Sequence, residues 1–470
     1  MPAISRKSFL SLALVGAAAA ACSTAGCEDD TKNAADPIQL EETYAPYRAK
    51  LFDPSVIHAV DITLADEDWE DLKQNALNKT RYVGQVSVDG EDYGNVTISA
   101  KGENSLRSVV RDGSERFSLR LRFKSQDDLQ TYYGLATVDL SNSVADYTFA
   151  KDYLAYEMFR KMGVPAPYVS YTWVMVNGKD YGLFIATETV ASAYLARNFG
   201  GAGKLYQPEA APVTEHSAMI TEAIVQALAT GTELERGNTN ESIKALDPYT
   251  TGADLRYTGD DAANYVDIFD NAEFTMTDDD ATRMIAALKL LSEGKPAKAL
   301  DTDEVLRYFA VHNFTCNYDS YTGYLNHNYF LYERAGKLSM LPWDYDFADA
   351  MATASKTAQG CIYDAPREEA DIDAPLAVPE DSRPMWAWIP ADEDYLAAYH
   401  GYLEELLDTC IDSGWASGLI DESAELIDDS LAEDPTLMCT MEERQSALDD
   451  LRSFIELRAQ SVRQQLEAAK

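Results

Sequence analysis

Positive charge is scarce in this 470-residue sequence, which has 39 Lys and Arg residues against 79 Asp and Glu residues and a formal net charge of −40. A chain this acidic repels phosphate backbones and anionic lipid, so its charge argues against nucleic-acid binding. The charge favours partners that are cationic, neutral or bridged by a metal ion. The alternative interpretation is an acidic surface whose role is to keep an exported protein soluble.

Histidine and cysteine are also sparse, with five and six residues. The sequence contains no His-Glu-x-x-His, Cys-x-x-Cys, Gly-x-x-x-x-Gly-Lys-Ser/Thr or Gly-x-Ser-x-Gly motif and no EF-hand loop. These absences leave a zinc protease, a zinc ribbon, a thioredoxin-type site, a P-loop and a hydrolase nucleophile elbow without support. Wholesale disorder is excluded by ordinary globular composition, with 46% hydrophobic and 25% charged residues.

The first residues have the pattern of an export signal. Arg6 and Lys7 precede a short apolar, alanine-rich run over 12–21, which is too short to span a membrane comfortably. The order Ser-Arg-Lys-x-Phe-Leu resembles a twin-arginine signal with lysine in place of the second arginine, and ordinary secretion is the alternative route. Cys22 and Cys27 each follow small residues, as in a bacterial lipobox, and Cys27 is directly followed by acidic residues.

We therefore predict a lipoprotein signal peptide over 1–27, lipidation of Cys27 or Cys22, and a polar tether over 28–54. The protein would be exported and anchored to the membrane by lipid on its extracytoplasmic face. A plain signal peptide with an incidental cysteine is the alternative. The remaining cysteines, Cys316, Cys361, Cys410 and Cys439, allow three disulfide pairings, or they are buried thiols.

Hydrophobic patterning predicts an α+β fold with a β-rich N-terminal lobe over 55–190 and a helical C-terminal lobe over 191–470. The clearest strand is 117–123, where apolar and polar residues alternate strictly. Other strands are predicted at 57–62, 85–88, 95–100, 171–176 and 181–186, and helices at 149–162, 281–292, 303–314, 395–411 and 440–468. A β-hairpin over 329–332 and 337–341 is embedded among the helices, and 228–280 is predicted to be an irregular insertion.

Unusual polar residues concentrate between 313 and 346. Asp319 lies in a predicted loop, Asn328 opens the first hairpin strand, and Asp344 and Asp346 follow the second. Because a hairpin brings its open ends together, Asn328 and Asp344 are expected to be neighbours. Carboxylate and amide oxygens suit Mg²⁺ or Mn²⁺, and a separate carboxylate can accept a hydroxyl proton, so these are parts of a phosphoryl-transfer site. The alternative is that these residues only cap turns and a helix.

The same residues resemble the motifs of the CotH family, the spore-coat-protein-H-like atypical protein kinases. The resemblance is carried by Asn317-x-Asp319, by His327-Asn328 with the strand that follows, and by the run 340–346. It extends to the turn 101–105, the basic strand 117–123, the helix exit 162–167 and the segments 176–188 and 203–206. The matching stretches occur in order over roughly 55–465.

The resemblance implies an atypical protein-kinase-like fold with an ATP- and Mg²⁺-dependent transferase cleft between the lobes. It implies that Asp319 is the catalytic-loop acid and that Asn328 and Asp344, assisted by Asp346, hold the metal. The implied nucleotide-binding residues are Lys101, Gly102, Arg120, Arg122 and Glu188. For Glu188, an ion pair with a base at the edge of the core is the alternative.

The sequence departs from the family at the basic strand, where the family commonly carries lysines and this chain has Arg116, Arg120 and Arg122. Arginine pairs with phosphate but does not replace a kinase lysine in every role. The expected function is a surface-anchored kinase that transfers the ATP γ-phosphate to Ser or Thr of an exported protein. The alternatives are a weakened or inactive surface or adhesion module and a structural cell-envelope lipoprotein.

Overall fold

The structure is a computed structural model, which describes residues 45–124, 129–209, 252–323, 326–346, 367–376, 378 and 380–470. The predicted lipidation sites Cys22 and Cys27 lie outside these residues, as do Cys361 and most of the predicted tether. Within the described part, Cys410 and Cys439 carry free thiols. None of the described helices combines the length and the apolar character needed to cross a bilayer.

A closed β-barrel forms the first part of the fold. Its strands follow the order β1-β2-β3-β4-β5-β7-β6, and every neighbouring pair is antiparallel except β1 and β6. The strands are β1 (Ile57–Thr63), β2 (Tyr82–Val88), β3 (Glu91–Ala100), β4 (Leu119–Arg122), β5 (Thr137–Ser141), β6 (Val169–Val176) and β7 (Lys179–Glu188).

Alternation along the strands separates the barrel core from the cleft wall. In β4, Leu119 and Leu121 are buried in the barrel core, whereas Arg120 and Arg122 are only partly covered on the opposite face. The barrel closes where β1 pairs in parallel with β6, with Val60 opposite Val174. This closure leaves the barrel without an open sheet edge.

Helices connect the strands and form most of the second part. Those of the barrel region are α1 (Arg48–Leu51), α2 (Asp66–Gln74), α3 (Asn104–Arg111) and α4 (Lys151–Lys161). The second part contains α5 (Ser192–Phe199), α6 (Val266–Phe269), α7 (Asp278–Ser292), α8 (Pro296–Ala299), α9 (Thr302–Phe314), α10 (Pro384–Ala387), α11 (Glu393–Leu406), α12 (Trp415–Ala432) and α13 (Met441–Ala468). Helices α4, α7, α9, α11, α12 and α13 enclose one continuous apolar core.

A three-stranded sheet lies among these helices. It has the order β10-β9-β8 and consists of β8 (Lys204–Tyr206), β9 (Tyr329–Arg334) and β10 (Lys337–Pro342). The pairing of Tyr329 with Pro342 places the residues before β9 beside those after β10. The predicted α+β fold, with a β-rich N-terminal half, a helical C-terminal half and an embedded hairpin, is confirmed.

The chain enters the barrel through a packed segment rather than a solvated one. Tyr47, Leu51 and Phe52 are buried, and the Ser170 hydroxyl donates a hydrogen bond to the Leu51 carbonyl oxygen. The tether predicted over 28–54 therefore includes about ten residues that belong to the folded part. The side chains of Tyr47, Leu51 and Phe52 pack against the barrel. The polar composition of the segment does not predict this packing.

Candidate functional site

A cleft of about 440 Å³ lies between the barrel and the helical part, and it collects most of the predicted site residues. The barrel contributes Lys101, Gly102, Arg120 and Arg122, and the helical part contributes Asp319, Asn328, Asp344 and Asp346. The basic residues come from the end of β3 and from β4. The acidic ones come from the loop after α9 and from the open end of the β9–β10 hairpin. One wall of the cleft is therefore basic and the opposite wall is acidic.

Asp319 is held from two sides. One carboxylate oxygen lies 2.8 Å from His327 Nε2, and the other accepts a hydrogen bond from Asn328 Nδ2 at 3.1 Å. Asn328 Nδ2 also donates to the Asp319 carbonyl oxygen at 2.9 Å, and the Asp319 amide donates to Asn317 Oδ1 at 3.2 Å. Although burial lowers the pKa of His327, the Asp319 carboxylate raises it overall. Both the orientation of the Asp319 carboxylate and the shape of its loop are thus fixed by neighbours.

Asp344 occupies a constrained position at the end of the hairpin. Its φ of 58° is in the left-handed region, as is the φ of 55° at Asn328, and Asn and Asp tolerate this region better than most residues. The Asp344 amide donates to the Tyr156 hydroxyl at 2.9 Å, and Asn317 Nδ2 donates to the Asp344 carbonyl oxygen at 3.3 Å. The backbone is therefore held by its own hydrogen bonds, and the carboxylate is left to face the cleft.

Carboxylates crowd behind this end of the cleft. Burial, together with the charge of Asp319, raises the pKa of Asp344, and burial with the charge of Asp344 raises that of Asp346. Beneath them Asp152 of α4 accepts a hydrogen bond from the Tyr345 amide at 2.6 Å. Burial and the charge of Asp344 raise the pKa of Asp152 to about 7. Asp152, Asp344 and Asp346 therefore form a cluster of buried carboxylates in which each pKa is raised.

On the opposite wall, Asp139 organises the cations. The Asp139 carboxylate is fully buried and makes two hydrogen bonds with Arg120, at 2.6 and 2.7 Å, and an ion pair with Lys101 at 3.3 Å. Burial alone would raise the pKa of Asp139, but Lys101 and Arg120 lower it to about 2. Lys101 also lies 5.5 Å from the centre of the Trp343 ring. A lysine ammonium therefore stands in the cleft, although the basic strand itself carries arginines.

The other two arginines noted in the sequence differ in their surroundings. Arg122 lines the cleft and donates to Ser99 Oγ at 2.9 Å, and burial with repulsion from Arg120 lowers its pKa to about 10. Arg116 is buried away from the cleft, where it pairs with Asp434 at 2.8 Å. Of the three arginines noted in the sequence, two therefore line the cleft and one joins the barrel to the helical part.

Glu188 does not line the cleft. Its carboxylate is fully buried, binds Arg197 at 2.6 Å and accepts hydrogen bonds from the Tyr47 hydroxyl and the Tyr168 amide. The next residues, 189–191, do line the cleft and lead from β7 into α5. The surroundings of Glu188 therefore match the alternative given for this residue, which is an ion pair with a basic side chain instead of contact with the nucleotide. Glu188 lies on the same face of β7 as Phe184 and Ala186, which are buried in the barrel core.

The family match extends over most of the chain. The CotH kinase protein model matches residues 98–462. The chain belongs to the CotH kinase protein family. It is also similar to inner spore coat protein H of Bacillus subtilis (strain 168), with 24% identity over 293 residues, which is 62% of this chain and 66% of that protein. The chain thus spans just under two thirds of that relative, and the family resemblance seen in the sequence is confirmed.

Three features of the site in this CotH-family chain were missed by sequence reasoning. Asp139 lies in β5, a strand that the pattern of residues 137–141 did not reveal. Lys79 and Glu103 line the cleft and form an ion pair at 2.5 Å, although they are far apart in sequence. His327 was noted only as part of a motif. Its place beside Asn328, in a run rich in polar residues, was the one available signal.

The acidic wall of the cleft offers oxygen ligands that suit a divalent cation, but these residues do not form a complete set of metal ligands by themselves. Across the described ranges, no three His, Cys, Asp or Glu side chains are grouped closely enough to hold a metal ion. Asp344, Asp346 and the Asn328 amide oxygen are hard donors, and Mg²⁺ commonly takes one or two carboxylates and completes its shell with water and phosphate oxygens. The residues present fit a cation that arrives with its phosphate ligand.

Proposed function

We propose that this CotH-family protein is a protein kinase that transfers the γ-phosphate of ATP to a Ser or Thr hydroxyl of an exported protein. One observation carries the proposal. The cleft brings Asp319, Asn328 and Asp344 to one wall and Lys101, Arg120 and Arg122 to the other. A polyphosphate needs cations along its length, and the acceptor hydroxyl needs a base at one end. The two walls supply these groups.

Each residue has a role in this proposal. Lys101 and Arg120, fixed by Asp139, neutralise phosphate oxygens, as does Arg122, while the turn after Lys101 approaches the phosphates through its backbone at Gly102. Gly102 has a φ of 95°, which permits this turn. Asn328, Asp344 and Asp346 would hold Mg²⁺ or Mn²⁺. The cation would neutralise charge on the phosphates.

The chemical step assigned to Asp319 is removal of the acceptor proton. The acceptor oxygen forms a bond to the γ-phosphorus while the bond from that phosphorus to the bridging oxygen breaks, and ADP leaves. The hydroxyl proton passes to the Asp319 carboxylate, which His327 and Asn328 keep in position. Such positioned bases contribute about 10²–10⁴-fold to rate.

Location is part of the same proposal. The relative is named as a protein of the inner spore coat, which supports a place at a surface. The proposed anchor is lipid on Cys27 or Cys22, with the enzyme facing outward. The exported acceptor protein is the proposed partner, and nucleic acid is not expected because the net charge is −40.

The test is Mg²⁺-dependent ATP binding followed by phosphate transfer. The chain without its first 27 residues should show a thermal shift with ATP and Mg²⁺ that is smaller with ATP and EDTA. It should then incorporate label from γ-labelled ATP into itself or a generic protein substrate. Absence of ATP binding would instead favour a non-catalytic surface or envelope module. Binding without any labelling would reject the acceptor class.

A further inference from the structure

A carboxylate stands at the mouth of the cleft where the basic wall meets solvent. Glu103 precedes α3 and lines the cleft directly after Lys101 and Gly102. It pairs with Lys79 Nζ at 2.5 Å and with Arg107 at 2.7 Å. The proposed phosphate-binding turn thus carries a negative charge that would lie near the incoming phosphates.

Glu103 differs from the other carboxylate of this wall. Asp139 is fully buried beneath Lys101 and Arg120, so an incoming anion has no access to replace it. The Glu103 side chain is 31% exposed and its partner Lys79 is 42% exposed. Exposed ion pairs are weak and exchange partners readily. Lys79 can therefore pass from Glu103 to a phosphate without loss of the fold.

Resting on the proposed function, we propose that Glu103 is a specificity-determining residue that competes with nucleotide phosphate for Lys79. Its charge repels a polyphosphate, and it does so most strongly when no divalent cation screens the phosphate oxygens. Glu103 thereby makes the cleft select metal-bound over metal-free nucleotide. A residue with a purely structural role would not alter this selection.

The variant Glu103→Gln keeps the length of the side chain and one acceptor oxygen while it removes the charge. We expect the Kd for ATP in EDTA to fall by about three- to tenfold, the scale of one partly screened charge. The Kd for ATP with Mg²⁺ should fall less, and that for adenosine should not change. The gain should fade in high salt. Calorimetry or a fluorescent ATP displacement assay measures all three.

Two further variants sharpen the test. Glu70→Gln removes the same charge from a pair with Lys73 at 2.9 Å, outside the residues that line the cleft, and should leave every Kd unchanged. In a Lys79→Met background, the gain from Glu103→Gln should be smaller but not absent, because competition for Lys79 is removed while direct repulsion of phosphate by Glu103 remains. Equal melting temperatures would show that each variant is folded.

The outcomes separate the two proposals. If the wild type binds ATP with Mg²⁺ but Glu103→Gln shows an unchanged or raised Kd in EDTA, the role of Glu103 is refuted and the proposed function stands. If the gain appears equally for ATP with Mg²⁺, ATP in EDTA and adenosine, Glu103 does not select by phosphate charge. If neither protein binds ATP under any condition, both proposals fail.

Discussion

The two-sided support of Asp319 leads to a prediction about chemistry rather than binding. Asp319→Asn is nearly isosteric, so the loop held by Asn317 and Asn328 should persist while the proton acceptor is lost. We expect ATP and Mg²⁺ to bind with little change and phosphate transfer to slow at least about 100-fold. Side-by-side labelling with γ-labelled ATP measures the rate.

A matched control exists elsewhere in the fold. Asp373 lies 2.7 Å from His400 Nε2, a contact like that between Asp319 and His327, and it is not among the residues that line the cleft. Asp373→Asn should therefore leave transfer unchanged. Equal labelling by wild type and Asp319→Asn would make Asp319 a turn residue and would place the reaction elsewhere.

The backbone conformation of Asp344 determines which substitution can test its role as a metal ligand. Asn accepts the left-handed φ of 58° more readily than Ala does, and the amide and carbonyl of residue 344 keep their partners in Asp344→Asn. We expect the fold to survive and the Mg²⁺-dependent part of ATP affinity to be lost, because an anionic ligand is removed. Asp346→Asn should have a milder effect. Calorimetry that finds the same ATP affinity in wild type and Asp344→Asn would contradict this assignment.

Asp139 should leave a mark on the pH dependence of stability. Its pKa is lowered to about 2 from an ordinary 3.8, so its ionised form stabilises the fold above about pH 4, and this contribution is lost as the pH falls towards 2. Asp139→Asn should cost of the order of 2 kcal/mol at pH 5 and progressively less below pH 4. Urea unfolding of both proteins from pH 5 to pH 2.5 measures the difference. A difference that does not change with pH would contradict the prediction.

At the scale of elements, the segment after α12 joins the two parts of the fold. Asp434 accepts hydrogen bonds from the Leu183 amide of β7 at 2.9 Å and from Arg116 at 2.8 Å, and Arg116 is almost fully buried. Asp434 also packs against Gly182, whose φ of 122° and close approach leave no room for a side chain. Each partner comes from the barrel.

Asp434→Ala should destabilise the protein by about 3–5 kcal/mol, because the buried Arg116 would lose its counter-charge. Urea unfolding provides the measurement. The control is Asp421→Ala, which breaks an ion pair with Arg452 in which Asp421 is 64% exposed. This variant should change the free energy of unfolding by about 1 kcal/mol at most. Similar losses in the two variants would show that Asp434 is not a structural link.

At the scale of the whole molecule, the predicted lipid anchor would determine where the protein is located. Replacing both Cys22 and Cys27 with Ser should release the protein from the membrane into the medium, since a lipoprotein is held by its acyl chains. Cell fractionation with immunodetection measures the distribution. The single variants show which cysteine is acylated, and retention of the double variant at the membrane would refute the lipid anchor.

Local sequence pattern determined much of the element inventory because it records which faces must be buried. Strict alternation over 117–123 predicted β4, and apolar spacing with a capping Thr440 fits α13. The motif residues 317–346 indicated the family. The hairpin predicted that Asn328 and Asp344 are neighbours, and both line the cleft. Their catalytic and metal-binding roles stay predictions.

Tertiary structure alone decided what depends on contacts between distant residues. The parallel pairing of β1 with β6, the burial of Asp139 under Lys101 and Arg120, and the burial of Glu188 beside Arg197 leave no local pattern, because each depends on how the barrel closes. The barrel turns a basic strand into one wall of a cleft, and the hairpin brings the acids to the other. Sequence therefore determined which chemistry is present, and the fold decided which charges face each other across the cleft.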